Sequence, residues 1–260
     1  MRPMKLAAAL FVALLTMGAA LTANAAAALP EFGRCVPATT PKTGEYAGAR
    51  CTRPVAGKGS YNFIPGPGEH PKFEGVNSLV VVLEMPKLTI NCAAETFNGE
   101  YTGPKTVSVT VDLIGCANGA GKKCQSNPAK ESEIEPPGAL EGEIGMIKVG
   151  SKTGVGLDIK RSPVIVAFTC GEFGEVPEDT GVVEGSLIGK IAPINSMHEE
   201  LRLQYKTAEG KQVPESFEGG PKDTLTVQLV SGLGSTTEPA LFKEKRIEIV
   251  NEEAIEIKAK

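Results

Sequence analysis

From residue 26 onward, short apolar runs alternate with turns rich in Gly and Pro. The run TVSVTVDLI (106–114) alternates polar and apolar residues, which predicts a strand with one buried face. SLVVVLE (78–84) and PVIVAFTC (163–170) are nearly continuous apolar runs, typical of central strands covered on both faces. Further strands are predicted at 87–92, 143–149, 155–159, 181–191, 224–230, 246–250 and 254–259. So many short strands separated by turns predict an all-β fold, an antiparallel β-sandwich or barrel stapled by disulfides.

The segment NSMHEELRLQYKTAEG (195–210) carries signals of two kinds. Ser196 and Glu199 have the spacing of a capping box, which starts helices. The apolar residues at 201, 203 and 205 alternate with polar ones, however, and we expect a strand at about 200–207. The following stretch, 208–223, is then a long loop, and such loops often bind ligands. Its candidate binding residues are Phe217, Glu215, Glu218, Gly219 and Gly220; alternatively, Phe217 packs back onto the sheet.

The first 25 residues have the features of a cleaved signal peptide. The basic start MRPMK precedes an Ala-rich apolar stretch, and ANA (23–25) supplies the small residues of a cleavage site. A transmembrane anchor would need about 20 consecutive apolar residues, and this run is shorter. A lipid anchor on Cys35 is excluded because the bulky cation Arg34 precedes it. We therefore expect a secreted protein, extracellular or in the cell envelope, without membrane insertion after cleavage.

The six cysteines, an even number in an exported chain, predict three disulfides. The two pairs nearest in sequence close short loops, and elimination joins the remaining two cysteines, each of which ends an apolar run. The predicted bonds are Cys35–Cys51, Cys116–Cys124 and Cys92–Cys170. Zinc sites use C-x-x-C knuckles or closely spaced Cys and His, and this sequence has neither. We expect no metal and no cofactor.

The mature chain is acidic. Cleavage of the leader leaves 25 Lys and Arg against 31 Asp and Glu, a net charge of −6. Nucleic-acid binding needs clustered Lys and Arg that neutralise phosphates, so no nucleic-acid partner is expected. The charged, Pro-containing segment 126–143 is a candidate exposed loop or linker. A Cys92–Cys170 bond would straddle it, which favours a single β-rich domain over 26–260.

The sequence contains no catalytic motif, and we assign no catalytic residue. The G-x-S-x-G elbow, the phosphate-binding loop and the zinc-binding H-E-x-x-H pair are each missing. The two histidines, His70 and His198, are interpreted as surface residues without a role. Carboxylate pairs of glycoside hydrolases can lie far apart in sequence, so that class stays open although no pair stands out.

Several motifs spread over nearly the whole mature chain carry a resemblance to one group of proteins. They are LPEFGRCV (29–36), TGEYAGARCT (43–52), GEYTGPKTV (99–107), DLIGC (112–116), VGLDI (155–159), KQVPESFEGGPKDTL (211–225) and NEEAIEI (251–257). In these motifs the chain resembles a family of uncharacterised exported, six-cysteine proteins of soil actinobacteria. The resemblance implies export, shared cysteine positions and a single unit, and no activity is known for the family.

Three functional hypotheses follow. The first is a non-catalytic secreted β-domain that binds an extracellular ligand or protein, or has a structural task, with the Phe217 loop as the first contact surface. The second is a secreted hydrolase of polymers that takes its carboxylates from separate strands. The third is a protease inhibitor that presents the loop between Cys35 and Cys51.

Overall fold

The computed structural model describes residues 29–127, 129–172, 176–214, 216–220, 224–232 and 234–260. The predicted signal peptide, 1–25, lies outside these residues. Every regular element within the described ranges is a β-strand, so the expected all-β fold is confirmed.

The strands of the first half of the chain are mostly short. In order they are β1 (Glu31–Pro37), β2 (Gly44–Tyr46), β3 (Pro54–Gly59), β4 (Tyr61–Pro65), β5 (Lys72–Asn77), β6 (Val81–Glu84), β7 (Thr89–Cys92), β8 (Ala94–Tyr101), β9 (Thr106–Ile114), β10 (Ala117–Asn118), β11 (Cys124–Gln125) and β12 (Glu133–Ile134). The second half holds the longest strands. These are β13 (Leu140–Val149), β14 (Lys152–Lys160), β15 (Val166–Cys170), β16 (Asp179–Glu184), β17 (Ser186–Ala192), β18 (Met197–Ala208), β19 (Lys211–Val213), β20 (Ser216–Phe217), β21 (Thr226–Ser231), β22 (Gly234–Pro239) and β23 (Leu241–Lys258).

Eight of these strands close into an antiparallel barrel. The order around the ring is β5, β8, β9, β13, β14, β17, β18 and β23. The ring closes where β23 pairs with β5, with Val250 opposite Glu74. An eight-stranded barrel has an interior just wide enough for side chains to fill it or for one small ligand. Of the two architectures left open by the sequence, the protein therefore adopts the barrel.

One end of the barrel interior is filled by aromatic rings. Tyr101 lies edge-on to Phe32 and Phe73, with ring centroids 4.8 and 5.1 Å apart. Phe73 in turn stacks on Phe97 at 5.9 Å. The Tyr101 hydroxyl donates a 2.7 Å hydrogen bond to Oδ1 of Asn251, which satisfies this buried polar group. We call this half of the barrel the aromatic end.

A separate five-stranded antiparallel sheet covers the opposite end of the barrel. Its strands run in the order β11, β15, β16, β21 and β22. Val166 and Val183 of this sheet line a common cavity with the barrel residues Leu113 and Tyr205. We call it the capping sheet, because it closes the end that the aromatic rings do not fill.

Several predicted strands differ in extent from those observed. The run at 181–191 is two strands, because Gly185, with φ of 101°, breaks it where the chain passes from the capping sheet into the barrel. The runs at 246–250 and 254–259 instead belong to one strand, β23. The strand expected at about 200–207 is confirmed as β18, and 85–87 forms the turn between β6 and β7.

The prediction that 78–84 and 163–170 are covered on both faces was wrong. Val80 is 59 % exposed, and the side chains of β6 and β15 alternate in burial. The reason is that both strands belong to antiparallel sheets with one face toward solvent, whereas full coverage is typical of parallel sheets.

The two predicted long loops are partly folded against the barrel. Within 208–223, β19 pairs with β18 and β20 pairs with β13. The Gln212 side-chain amide accepts from the backbone N–H of Phe242 at 2.9 Å and donates to its carbonyl at 3.0 Å. Within 126–143, β12 pairs with β9 and buries Ile134. Both segments therefore contribute structure to the barrel wall.

The predicted bond between Cys35 and Cys51 is present, but the other two pairings were wrong. The bonds are Cys92–Cys116 and Cys124–Cys170. The prediction joined the cysteines nearest in sequence and paired the other two by elimination. It failed because strand pairing, and not distance along the sequence, decides which cysteines are adjacent. Pairing of β10 with β7 brings the Cα atoms of Cys92 and Cys116 within 3.9 Å, and Cys124 lies directly opposite Cys170 across β11 and β15.

The two corrected disulfides share one short segment of chain. Residues 116–124 are bonded to β7 at their first residue and to the capping sheet at their last. Inside the segment, the Asn118 side chain accepts hydrogen bonds from the backbone N–H groups of Ala120 and Lys122, both at 3.0 Å. The segment is therefore covalently joined to the β6–β7 hairpin at one end and to the capping sheet at the other.

Candidate functional site

A cavity of about 80 Å³ lies between the barrel and the capping sheet. Its walls are almost wholly apolar. The barrel strands supply Glu95, Val111, Leu113, Leu140, Ile159, Leu187, Tyr205 and Phe242, and the capping sheet and its adjoining residues supply Ile165, Val166, Val183 and Leu225. Clefts lined by apolar side chains with a few converging polar groups are the usual ligand sites of proteins. The polar groups of this wall are Glu95 and Tyr205.

Glu95 is one half of a buried carboxyl pair. It lies on β8, 2 % exposed, and its carboxyl group is within hydrogen-bonding distance of that of Glu244 on β23, 4 % exposed. Asn77 on β5 donates a 2.7 Å hydrogen bond from Nδ2 to Oε1 of Glu244. Oε2 of Glu95 and Oε2 of Glu244 receive no hydrogen bond from any described donor. Two carboxyl groups in this contact must hold a proton between them.

The electrostatics of the pair follow from its burial. Loss of hydration raises the pKa of Glu95 well above its usual value, and the adjacent charge of Glu244 raises it further. Burial also raises the pKa of Glu244, to about 7, although hydrogen bonds from Glu95 and Asn77 lower it. The two carboxyl groups therefore titrate as one unit, and above neutral pH the pair shares one proton and carries one negative charge.

The sequence carries a signal for this pair. In AETFNGEY, Glu95 is in phase with Phe97 and Tyr101, so it points to the same face as the aromatic residues of β8. Glu244 is likewise in phase with Phe242 on β23. A carboxylate in phase with an apolar face is unusual, because a charge is buried only when it is paired or neutralised.

The Phe217 loop lies elsewhere, on the outer face of the barrel. Phe217 pairs with Ile147 of β13, and its ring covers Gly145, where a Cβ would lie 2.5 Å from the ring. Glu218 accepts a hydrogen bond from the Met146 N–H through Oε1 at 2.6 Å. Phe217 therefore packs back onto the sheet, the alternative given above, while Glu215 lies outside the described residues. A binding role for this loop stays a prediction.

A surface pocket of about 290 Å³ adjoins the base of this loop. Val213 and Pro214 of the predicted loop form part of its wall, beside Lys152, Lys190 and Lys206. Its lining contains no carboxylate, although the chain as a whole is acidic. The loop thus helps to shape a cationic concave surface rather than a contact centred on Phe217.

A wider groove, of about 530 Å³, crosses the outer face of β5, β8, β9 and β23. Three carboxylates from separate strands line it: Glu74, Glu100 and Glu252. Glu252 already accepts a 2.9 Å hydrogen bond from the backbone N–H of Lys72. This groove is the arrangement that comes nearest to the hydrolase expected as the second hypothesis.

The histidines do not join any of these sites. His70 occupies a turn with φ of 58°, and His198 contacts the Ser196 hydroxyl through Nε2 at 2.5 Å. Within the described ranges, no three His, Cys, Asp or Glu side chains are grouped so that they could hold a metal ion. The same residues include no helix with the length and apolarity needed to cross a membrane.

Comparisons with protein-family models, with curated proteins and with solved structures gave no match to this chain. The resemblance to the actinobacterial family therefore stays a prediction.

Proposed function

We propose that this is an exported, non-catalytic binding protein that holds a small, largely apolar ligand in the cavity between the barrel and the capping sheet. The observation that carries the proposal is an apolar cavity whose wall contains one buried carboxyl pair. Apolar pockets with few polar groups and perturbed pKa values are where ligands are most often bound. Among the described residues, the aromatic rings fill the other end of the barrel interior, which leaves this cavity as the interior site of the proposal.

The size of the cavity limits the ligand. An engineered apolar cavity of about 150 Å³ holds benzene, and this cavity measures about 80 Å³. It therefore suits a group smaller than benzene, such as a short branched alkyl group. Val111 and Leu187, which belong to its wall, are only half-buried. These two residues connect the cavity wall to the surface of the protein, and we expect a ligand to enter beside them.

Export is part of the same proposal. It is supported by the features of the leader and by the three disulfides, which persist in oxidising compartments. Ligand binding outside the cytoplasm needs a fold that survives without chaperones, and disulfides supply such stability.

The proposal is tested with isobutanol as a neutral probe. Methyl NMR of the mature chain should show saturable shifts confined to residues that line the cavity, such as Leu113 and Leu140. Val183→Phe, which adds a ring from the capping sheet into the cavity, should abolish them. Val230→Phe, at a 46 % exposed position of the same sheet, is the matched control and should bind normally. Absence of saturable binding to the wild-type protein would reject the proposal.

Overpacking can destabilise a core by about 1–3 kcal/mol, so a milder variant is needed beside Val183→Phe. Val166→Leu adds a single methylene to the same wall and should weaken isobutanol binding without unfolding the protein. If both variants fold and bind as the wild type does, the cavity is not the binding site.

The open groove supports a second candidate, a hydrolase of extracellular polymers. Glycoside hydrolases place two carboxyl groups about 5–10 Å apart across a cleft. The Glu95–Glu244 pair does not fit this chemistry, because its groups contact each other inside the protein. Glu74 and Glu100, on neighbouring strands of the groove, are the residues to replace by Gln. Activity on a polysaccharide panel that Glu100→Gln removes would favour this candidate.

The protease-inhibitor hypothesis rests on the Cys35–Cys51 loop alone. Incubation with a panel of secreted proteases tests it, and full residual protease activity would reject it.

A further inference from the structure

We propose that the cavity selects a protonated primary amine on a short branched alkyl body, with Glu95 as the group that receives the ammonium. This inference rests on the proposed function, since it specifies the ligand of the same cavity. It concerns the polar part of that ligand, whereas the proposed function concerns only the cavity and its apolar walls.

The first argument is the balance of charge. Glu95 and Glu244 together have two carboxyl groups and one shared proton, which leaves one negative charge inside the protein. No Lys, Arg or His is among the residues that line the cavity. Buried charges are normally paired. A cation that enters with the ligand would supply the missing partner.

The second argument is the shortage of donors. Asn77 donates one hydrogen bond to Glu244, and Oε2 of each carboxyl receives none from the described residues. Glu95, the member of the pair that belongs to the cavity wall, therefore has a buried acceptor oxygen without a donor. A ligand with only acceptor groups, such as a carboxylate, would be repelled, whereas an ammonium group carries three donors.

The third argument is the position of the pair. Glu95 belongs to the cavity wall and Glu244 lies behind it, in contact with Asn77. The remaining wall is apolar apart from Tyr205, whose ring lies edge-on to Phe242 at 5.2 Å. A ligand that fits has one cationic end at Glu95 and an apolar body against the capping sheet.

The experiment compares isobutylamine with isobutanol and isobutyrate, which share one alkyl body. At pH 8 the wild-type protein should bind isobutylamine about tenfold to a hundredfold more tightly than isobutanol, because hydrogen bonds to charged groups are the stronger ones. Isobutyrate should not bind. At pH 5.5, where both carboxyl groups hold protons, this preference should disappear while isobutanol binding stays unchanged.

Two variants separate charge from shape. Glu244→Gln leaves Glu95 as the only carboxyl group of the pair. The variant removes the adjacent charge that raises the pKa of Glu95, and the new amide can donate a hydrogen bond that favours the ionised form, so isobutylamine binding at pH 8 should persist. The double variant Glu95→Gln with Glu244→Gln removes the charge at nearly constant volume, and should bind isobutylamine no better than isobutanol. Glu253→Gln, at an exposed position of β23, is the matched control and should behave as the wild type.

The outcomes are distinct for the two proposals. Equal binding of isobutylamine and isobutanol by the wild type, both abolished in Val183→Phe, would reject the amine inference and keep the proposed function. An amine preference that survives in the double variant would also reject the role of Glu95. Failure of every probe to bind would reject both proposals.

Discussion

Glu95 and Glu244 reach the barrel interior from different strands, β8 and β23, and hold one acid proton between them. In the unfolded chain, each carboxyl group has the ordinary pKa of a glutamate, about 4.3. Both pKa values are raised in the folded protein. Between pH 4.5 and 7 the folded state therefore binds more protons than the unfolded state. The contribution of this pair to the free energy of unfolding therefore falls as the pH rises through this range.

This fall is measured by urea denaturation at pH 4.5 and pH 7.5. The rise of the Glu244 pKa from 4.5 to about 7 corresponds to about 3 kcal/mol of stability that is present in acid and lost near neutrality. The double variant Glu95→Gln with Glu244→Gln should lack this part of the decrease in the free energy of unfolding. Burial raises the pKa of Glu31, Asp158 and Glu256 as well, so the difference between the two proteins is the informative quantity. Equal pH dependence in both would contradict the prediction.

Lys258 should be among the most important single residues for stability. Its ammonium donates to Glu256 at 2.9 Å and to the Cys51 carbonyl at 3.3 Å, and it lies 4.3 Å from the ring centroid of Tyr46. Its partner Glu256 is fully buried. Lys258→Met would leave that carboxylate unpaired, and breaking a buried pair costs about 3–5 kcal/mol. Urea denaturation at pH 7 measures the loss.

Two further variants show whether the ion pair is responsible. Adding Glu256→Gln to Lys258→Met removes the unpaired charge and should recover much of the lost stability. Lys260→Met, at the exposed last residue, should change the free energy of unfolding by less than about 0.5 kcal/mol. A loss as large in Lys260→Met would point to a general effect of the C-terminus.

Phe217→Ala tests the position of the candidate binding loop. The half-buried Phe217 ring covers Gly145, so its removal should cost about 1–2 kcal/mol, less than the value for a fully buried Phe. Gly145→Ala should also destabilise, because the added Cβ meets the ring. In the Phe217→Ala background Gly145→Ala should be nearly harmless, which a double-mutant cycle measures. Strictly additive effects would mean that the two residues do not touch.

Non-reducing peptide mapping tests the disulfides directly. It should recover peptides that join Cys92 to Cys116 and Cys124 to Cys170, and a peptide that joins Cys116 to Cys124 would contradict the structure. Replacing both Cys124 and Cys170 by Ser should lower the free energy of unfolding by about 4 kcal/mol in the chain-entropy model, since the bond closes a 46-residue separation.

Much of the fold can be predicted from the periodicity of polar and apolar residues. The alternation in 106–114 and at 201–205 predicts β9 and β18, because one face of each strand is buried in the barrel and the other is exposed. Strand β8 was missed, since its alternation is interrupted by Gly99 and by polar residues. The alternation of polar and apolar residues predicts which face of a strand is buried, but it does not predict which strands pair with each other.

The candidate site depends on those neighbours. Glu95 and Glu244 are separated by most of the chain and meet only because β23 closes the ring against β5. The cysteine pairings failed for the same reason, since β10 and β11 are two-residue strands without a sequence signature. Only the Cys35–Cys51 bond, whose cysteines lie 16 residues apart, was predicted correctly from the short distance between them in the sequence.

The positions of the disulfides decide whether a proteolytic cut releases a fragment of the protein. A cut within 126–139 leaves both fragments covalently joined, because Cys124–Cys170 spans it. A cut within 208–223 frees a fragment without any cysteine, which contains β21, β22 and β23. That fragment carries Glu244, Glu256 and Lys258 and closes the ring, yet only hydrogen bonds and packing retain it. A single cut by a protease can thus release β23 and open the barrel, although three disulfides hold the rest of the chain.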